Sequence, residues 1–229
     1  MYSVAKKQML EMLELQNKLN EKVNPNWITA GNNWRLAIVI EAVEAIEHYG
    51  WKWWKKQNPN IPQLKIELVD IWHFILSDLI VNADNENMSL TTLADIIVDK
   101  YFNYRFPDYN NVIQDLQLLI HNALEDSDSI VEFSITMTDV NMSWEELYKF
   151  YISKNCLNIF RQNNGYKDGT YIKNWGHNKL NTLSTYALSD VVEDNVHLDD
   201  IVNNNDIEND FYNVVMNELQ RRYDSLSIK

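Results

Sequence analysis

The sequence predicts an all-α protein built as a multi-helix bundle. Glycine and proline are scarce, at 5 and 4 of 229 residues, which suits long helices better than a turn-rich β fold. Apolar residues recur at helical spacing in several long runs. The composition is 45% hydrophobic, which supplies a sizeable core and argues against global disorder. The length predicts a single domain over residues 1–229, in which residues 84–142 form a variable helical subdomain.

The helices are predicted in order along the chain, and several have recognisable ends. Asn24-Pro25-Asn26 should end the first, Gly50 should cap the second, and Ser143 with Glu146 makes a capping-box pattern at the sixth. Residues 126–141 are polar and then briefly alternating, so we expect a connector there, with a short strand or irregular packing. The apolar spacing predicts helices over 3–23, 33–50, 63–82, 89–104, 108–124, 143–162 and 209–224.

Charge and cysteine content disfavour several classes of function. The net charge of −13 argues against broad contact with nucleic-acid polymers or anionic membranes. Cys156, the single cysteine, rules out an intramolecular disulfide framework and predicts a reducing, cytoplasmic location. The first residues lack the long apolar segment of a signal peptide, and no uninterrupted apolar run approaches transmembrane length.

Two of the predicted helices each carry a pair of carboxylates. The run LAIVIEAVEAIEHYG holds Glu41 and Glu44, and LKIELVDIWHFIL holds Glu67 and Asp70. Residues three apart share a helix face, so two such helices packed together would bring all four carboxylates together. Bare carboxylates repel one another and are costly to bury. A hard cation such as Mg²⁺ removes that cost and bridges carboxylates to substrate phosphates.

Polar and aromatic residues near these helices have two interpretations each. Gln16 and Asn20 share a face of the first helix, either as a solvated pair or as amides aimed at a base. Lys52 and Trp54 belong to the run WKWWKK, which is either a core or dimer interface or a wall of a substrate pocket with Lys52 facing phosphate. His73 follows Asp70 by three residues and fits a packing role better than a hard-cation site.

A cationic stripe and a glycine-bearing loop occur late in the chain. Lys154, Asn158 and Arg161 fall on one helix face, which is either solvated or a phosphate clamp with charge-assisted bonds. The loop at residues 164–176 holds three of the five glycines, together with Tyr171 and Lys173. Glycine permits close backbone approach to a ligand, but the spacing does not match a P-loop or a dinucleotide fingerprint.

Three ordered blocks of sequence resemble the all-α dimeric dUTP pyrophosphatase (dUTPase) family, within the all-α nucleoside-triphosphate pyrophosphatase superfamily. They are LELQNKLN with NPNW, EAVEAIEHYGWKWWK with IELVDIWHF, and KNCLNIFRQNNGYKDGTYIKNW. Together they cover about a third of the chain. The resemblance implies a homodimer with a four-helix metal-binding core, and a deoxyuridine nucleotide as substrate. It implies hydrolysis of dUTP, and of dUDP as a further candidate, to dUMP.

The resemblance also implies roles for individual residues. Glu41 and Glu44 are the candidates for orienting or deprotonating the attacking water. The implied Mg²⁺ ligands are Glu41, Glu44, Glu67 and Asp70. The implied phosphate contacts are Lys52, Lys154, Arg161 and Lys173. The pyrimidine edge would be read by Gln16 and Asn20, and the base and sugar pocket lined by Trp54, His73 and Phe74. Asn158 and Tyr171 are further candidate substrate contacts.

One departure from the family pattern leaves more than one nucleotide as a candidate substrate. The family usually follows the loop tryptophan with a Glu-Asp-Asn tripeptide that helps to hold the sugar. Here Trp175 is followed by GHNKLN, and Glu193-Asp194-Asn195 lies further downstream. Asn178 and Asn181 are candidates for the asparagine's role. The alternatives are a dCTP-cleaving or broader house-cleaning pyrophosphatase and, in another class, a helical interaction module without catalysis.

Overall fold

The computed structural model describes residues 2–103, 111–173, 175 and 210–226. Within these ranges the chain forms helices and connecting segments without a β-strand, which confirms the all-α prediction. The helices are α1 (Tyr2–Val23), the 3₁₀ turn η1 (Trp27–Thr29), α2 (Trp34–Tyr49), α3 (Ile61–Asn85), α4 (Leu90–Asn103), α5 (Val112–Leu124), α6 (Ile130–Asp139), α7 (Trp144–Asn163) and α8 (Phe211–Asp224).

The chain divides into two compact units, Met1–Tyr148 and Lys149–Lys229. In the first unit α3 is the central helix, since it packs against α1, α2, α4 and α6 and buries more than half of its residues. Trp72 of α3 stacks on Phe133 of α6 with ring centroids 4.6 Å apart. Polar groups on α3 are therefore held inside a packed bundle. The predicted single domain over residues 1–229 stays a prediction.

Several predicted helix ends are confirmed. Gly50 caps α2 in the left-handed region at φ 90°, and the Ser143 hydroxyl accepts a hydrogen bond from the Glu146 backbone N–H at 3.1 Å. The Glu146 carboxylate pairs with Lys65 at 2.8 Å. The first residues of the predicted helix 108–124 lie outside the described residues, as do Asn178, Asn181 and the tripeptide at 193–195.

The prediction of a connector or strand over 126–141 is wrong, because residues 130–139 form α6. Ile130, Phe133 and Met137 are fully buried at a helical spacing of three and four residues, which outweighs the short apolar alternation. The Thr136 hydroxyl is satisfied within the helix, where it donates to the Glu132 carbonyl oxygen at 2.9 Å. The burial of these three apolar side chains along one face therefore favours a helix over a strand at residues 130–139.

The second unit contains most of α7, the segment that follows it, and α8. The thiol of Cys156 on α7 donates to the Tyr212 carbonyl oxygen of α8 at 3.7 Å, and the ring of Phe160 lies 5.3 Å from that of Tyr223. These contacts fix α8 against the end of α7. In the described part of the chain, none of the helices has the length and apolar character that crossing a bilayer requires.

Candidate active site

Three of the four predicted carboxylates come together between α2 and α3. Each of Glu41, Glu67 and Asp70 places an oxygen within 4.8 Å of the others. Glu67 is only 6% exposed, while Glu41 and Asp70 are half-buried. Because residues 67 and 70 are one turn apart on α3, both face Glu41 across the helix pair. Glu44 lies exposed on α2 and is not one of this close trio.

The electrostatics of the cluster suit a hard cation. Burial, and then the charge of Asp70, raise the pKa of the Glu67 carboxyl above its ordinary value, and the charge of Glu44 acts in the same direction. The carboxylate form of Glu67 is thus disfavoured when no cation is near. Three carboxylate oxygens at this separation form the all-oxygen donor set that hard divalent cations prefer. The residues present therefore fit a divalent metal.

His48 is a member of this site that the sequence analysis missed. Its Nε2 lies 3.2 Å from Oε1 of Glu67, and the Gln63 side-chain amide donates to the same oxygen at 3.4 Å. His48 follows Glu41 by seven residues, two helical turns along α2. That spacing was the signal that could have placed it beside the cluster.

The two predicted base-reading amides are buried and joined through a serine. Gln16 is 3% exposed, and its amide donates to the Asn20 side-chain oxygen at 3.1 Å and to the Ser77 hydroxyl at 3.0 Å. Asn20 also donates to the Ser77 hydroxyl, at 2.9 Å. Ser77 in turn donates to the His73 carbonyl oxygen at 2.9 Å. The interpretation of a solvated pair is therefore wrong. Ser77, which no sequence pattern singled out, joins the two amides.

His73 and Phe74 are neighbours in the sequence of α3 and make different contacts. The Nδ1 atom of His73 lies 2.9 Å from the Val69 carbonyl oxygen, which fits a protonated Nδ1 that donates within the helix. Phe74 stacks on Trp34 with centroids 6.2 Å apart, and Trp34 meets Trp27 edge-on at 5.9 Å. The aromatic wall beside Phe74 thus includes two tryptophans that the sequence analysis did not assign to a site.

The WKWWKK run is exposed, so it does not belong to the core of the chain. Trp53 is 89% and Trp54 is 57% exposed, and their rings meet edge-on at 5.5 Å. The Glu47 carboxylate accepts hydrogen bonds from the Trp51 ring N–H and from the Lys52 ammonium, each at 2.6 Å. Glu47 therefore holds Lys52 against the start of the tryptophan run.

In the second unit, two of the predicted phosphate contacts share one aromatic ring. Arg161 is only 7% exposed, so a solvated face is the wrong interpretation for it, and its guanidinium donates to the Asn158 side-chain oxygen at 3.1 Å. The guanidinium carbon lies 5.8 Å from the centroid of Tyr166. The Lys173 ammonium lies 5.1 Å from the same centroid. Tyr166 is thus a member of this region that the sequence did not predict. Of the other predicted substrate contacts, Tyr171 is buried and Lys154 is half-buried.

Fold and site define an all-helical protein with a candidate centre for a divalent metal. The model of the dUTPase family matches residues 8–166, well over half of the chain, and the chain therefore belongs to the dUTPase family. This makes the protein a hydrolase of the dUTP diphosphatase type, and it rejects the interaction-module alternative. Membership supports nucleotide pyrophosphatase activity on dUTP and implies divalent-metal dependence. A comparison with curated proteins found no match.

Proposed function

We propose that the chain hydrolyses dUTP to dUMP and pyrophosphate with Mg²⁺, and that dUDP is a second substrate. The observation that carries this proposal is the trio Glu41, Glu67 and Asp70, whose oxygens lie within 4.8 Å of one another inside the segment that matches the dUTPase family. The donor set is entirely oxygen, which favours Mg²⁺ over softer metals. Glu44, three residues beyond Glu41, is proposed as the fourth ligand.

Different residues of the chain are assigned to water activation and to phosphate binding. Mg²⁺, when bound, lowers the pKa of coordinated water and neutralises phosphate charge. Glu44 is exposed on α2, and we assign to it, with Glu41 as the alternative, the orientation and deprotonation of the attacking water. Fixed positive charge at the phosphates stabilises the transition state. The residues assigned to that task are Lys52, Lys154, Arg161 and Lys173, and Asn158 and Tyr171 are assigned as further substrate contacts.

Base recognition is assigned to the buried amides of Gln16 and Asn20. The hydrogen bond between them and the bond that each donates to Ser77 fix both side chains, so a base is met by pre-oriented donors and acceptors. Rejection of cytosine then follows from leaving a buried polar group without its partner. Trp54, His73 and Phe74 are proposed to line the base and sugar pocket.

Gln16→Ala tests this assignment directly. We expect the ratio of kcat/KM for dUTP over that for dCTP to fall about tenfold, the effect of losing one buried hydrogen-bonding group. Asn17→Ala is the matched control, because Asn17 is an amide on α1 that pairs with Glu21 and Trp27. An unchanged ratio in Gln16→Ala would mean that the base is read elsewhere.

A homodimer in the cytoplasm is proposed as the working state. Leu36, Ile40 and Val43 are each roughly half exposed and share one face of α2 at a spacing of four and three residues. An apolar helix stripe of this kind is typical of a surface that a partner covers. Cys156, the single cysteine of the sequence, is a buried thiol, which suits a reducing compartment.

The first experiment is pyrophosphate release from dUTP, dCTP, dTTP and UTP, each with Mg²⁺ and with EDTA. Strong Mg²⁺-dependent release from dUTP alone would support the proposed metal and base assignments together. Activity centred on dCTP, or spread over several nucleotides, would overturn the substrate assignment. The second candidate function is a dCTP-cleaving or broader nucleotide pyrophosphatase. The observation that favours it is the absence of an acidic pair directly after Trp175. Phosphate release from dUDP tests the second substrate separately.

A further inference from the structure

The segment after α7 is closed tightly around one glycine. The Gly165 carbonyl oxygen accepts backbone hydrogen bonds from Thr170 at 3.0 Å and from Asp168 at 3.2 Å. Gly165 has φ +85°, and a Cβ there would lie 1.9 Å from the Thr170 hydroxyl oxygen. Tyr166 follows directly, and its N–H donates to the Arg161 carbonyl oxygen at 3.0 Å. This closure fixes where the Tyr166 ring stands relative to Arg161.

Tyr223 of α8 holds the other end of the same segment. Its hydroxyl oxygen accepts a hydrogen bond from the Ile172 backbone N–H at 3.1 Å. Its ring lies parallel to that of Tyr171, with centroids 5.4 Å apart and an interplanar angle of 6°. The rings of Phe160 and Trp175 each lie 5.3 Å from it. Tyr223 is therefore fixed on several sides, and it contacts Tyr171, Ile172 and Trp175, which lie close to Lys173 in the sequence.

The position of Lys173 needs such support, because two cations share the Tyr166 ring. The Lys173 ammonium lies 5.1 Å and the Arg161 guanidinium carbon 5.8 Å from its centroid. Cation–π attraction favours both positions, but like charges near one ring repel. Lys173 is exposed, and a long exposed side chain on a free segment would move away. A backbone held at Ile172 limits that movement.

We propose that Tyr223 is a positioning residue for the substrate's polyphosphate. It holds Ile172, and thereby places Lys173 beside Arg161, where the two cations contact the β- and γ-phosphates. The inference rests on the proposed function. It extends the site beyond residues 8–166, the segment that matches the dUTPase family, to a residue of α8.

The test uses the full chain with Tyr223→Phe, which keeps the ring and removes the hydroxyl acceptor. Affinity is measured by calorimetry in Mg²⁺ for dUMP and for the non-hydrolysable α,β-imido-dUTP. We expect the variant to bind α,β-imido-dUTP about fivefold more weakly, the effect of one lost hydrogen bond, and to bind dUMP unchanged. Tyr212→Phe, on the same helix, should alter neither affinity. A change in only the triphosphate separates positioning from a general structural effect.

Two further measurements make the inference specific to Lys173. Amide hydrogen exchange at Ile172 should accelerate in Tyr223→Phe and not in Tyr212→Phe, whether or not nucleotide is present. The double variant Tyr223→Phe/Lys173→Ala should bind α,β-imido-dUTP no more weakly than Lys173→Ala alone, since both changes act through one group. Additive losses would overturn the route through Lys173.

The failure of this inference can be told apart from failure of the proposed function. If the native protein binds α,β-imido-dUTP but Tyr223→Phe binds it equally well, only the role of Tyr223 is overturned. An equal loss for dUMP and the triphosphate analogue would also overturn it, because the effect would not concern the phosphates. If the native protein binds neither deoxyuridine ligand, the proposed function is overturned together with this extension of it.

Discussion

The carboxylate cluster and the cation pair are positioned in different ways. Glu67 and Asp70 lie one turn apart on the central helix of a packed bundle, and Glu41 faces them from α2. Arg161 lies near the end of α7, whereas Lys173 lies on an irregular segment closed around Gly165 and held by Tyr223. The carboxylates are placed by helix geometry. The cations are placed by a tight turn that requires glycine at residue 165 and by contacts with aromatic rings.

The two regions also treat their charges differently. Burial and the neighbouring carboxylates raise the pKa of Glu67, so the acidic region is destabilised by its own charge and is relieved by a cation. Arg161 contacts the Asn158 amide and the Tyr166 ring, which are uncharged groups that orient the guanidinium. The acidic region is therefore built to receive a metal, and the basic region to receive an anion.

Glu67→Gln should have the largest effect, since it removes the buried member of the cluster. We expect kcat/KM for dUTP to fall by roughly 10³-fold or more, because metal-based stabilisation of the transition state is lost. Mg²⁺ should also no longer raise the melting temperature. Asp95→Asn is the control, since Asp95 on α4 forms an exposed ion pair with Lys6 of α1. Near-native activity in Glu67→Gln would contradict the metal assignment.

Glu44→Gln tests whether Glu44 acts chiefly as the general base or chiefly as a metal ligand. Because Glu44 lies outside the close trio, we expect kcat to fall roughly 10²- to 10⁴-fold, as for loss of a general base. Mg²⁺ should still raise the melting temperature through the trio, but by less than in the native protein, because the proposed fourth ligand is lost. Steady-state kinetics and thermal melts with and without Mg²⁺ measure the two effects. Native turnover would remove Glu44 from the site, and loss of the Mg²⁺ effect would make it chiefly a ligand.

The helical region was largely predictable from the sequence, and the reason is its periodicity. The spacing of Glu41, Glu67 and Asp70 fixes which helix faces meet once α2 and α3 pack together. His48 and Ser77 were missed although both lie at helical spacings from Glu41 and His73, because single polar residues on apolar helices carry little signal. α6 was missed because its apolar residues fit both a period of two and a helical stripe, and only burial distinguishes them.

The second unit was less predictable. Arg161 and Lys173 could be named from the resemblance, but their shared contact with Tyr166 depends on a backbone path that no periodicity encodes. Tyr223 lies about fifty residues beyond Ile172 in the chain, and its contact with that amide is a long-range one. Aromatic residues occur throughout this sequence, so composition alone cannot single out the tyrosine that supports the segment.

Gly165→Ala tests whether the cation region depends on its tight turn at residue 165. The added Cβ would clash with the Thr170 hydroxyl at a positive φ, so we expect the free energy of unfolding to fall by about 1–3 kcal/mol. Binding of α,β-imido-dUTP should weaken more than binding of dUMP. Gly169→Ala is a matched control, since Gly169 also has a positive φ but nothing lies within 4 Å of an added Cβ. Equal effects would mean that the clash at residue 165 is unimportant.

Glu132→Gln should have the smallest effect and sharpens the comparison, because Glu132 is a buried carboxyl outside the cluster. Burial raises its pKa, and among the described residues its Oε2 atom has no hydrogen-bond partner. A raised pKa favours folding below the ordinary carboxyl range, and this contribution is lost as pH rises through the folded-state value. Glu132→Gln should therefore raise the melting temperature by a few degrees at pH 8 and leave it unchanged near pH 4. The gain at pH 8 should be the same in Mg²⁺ and in EDTA. A gain that disappeared in Mg²⁺ would show that Glu132 also responds to the metal, and the contrast between the cluster and an ordinary buried carboxyl would fail.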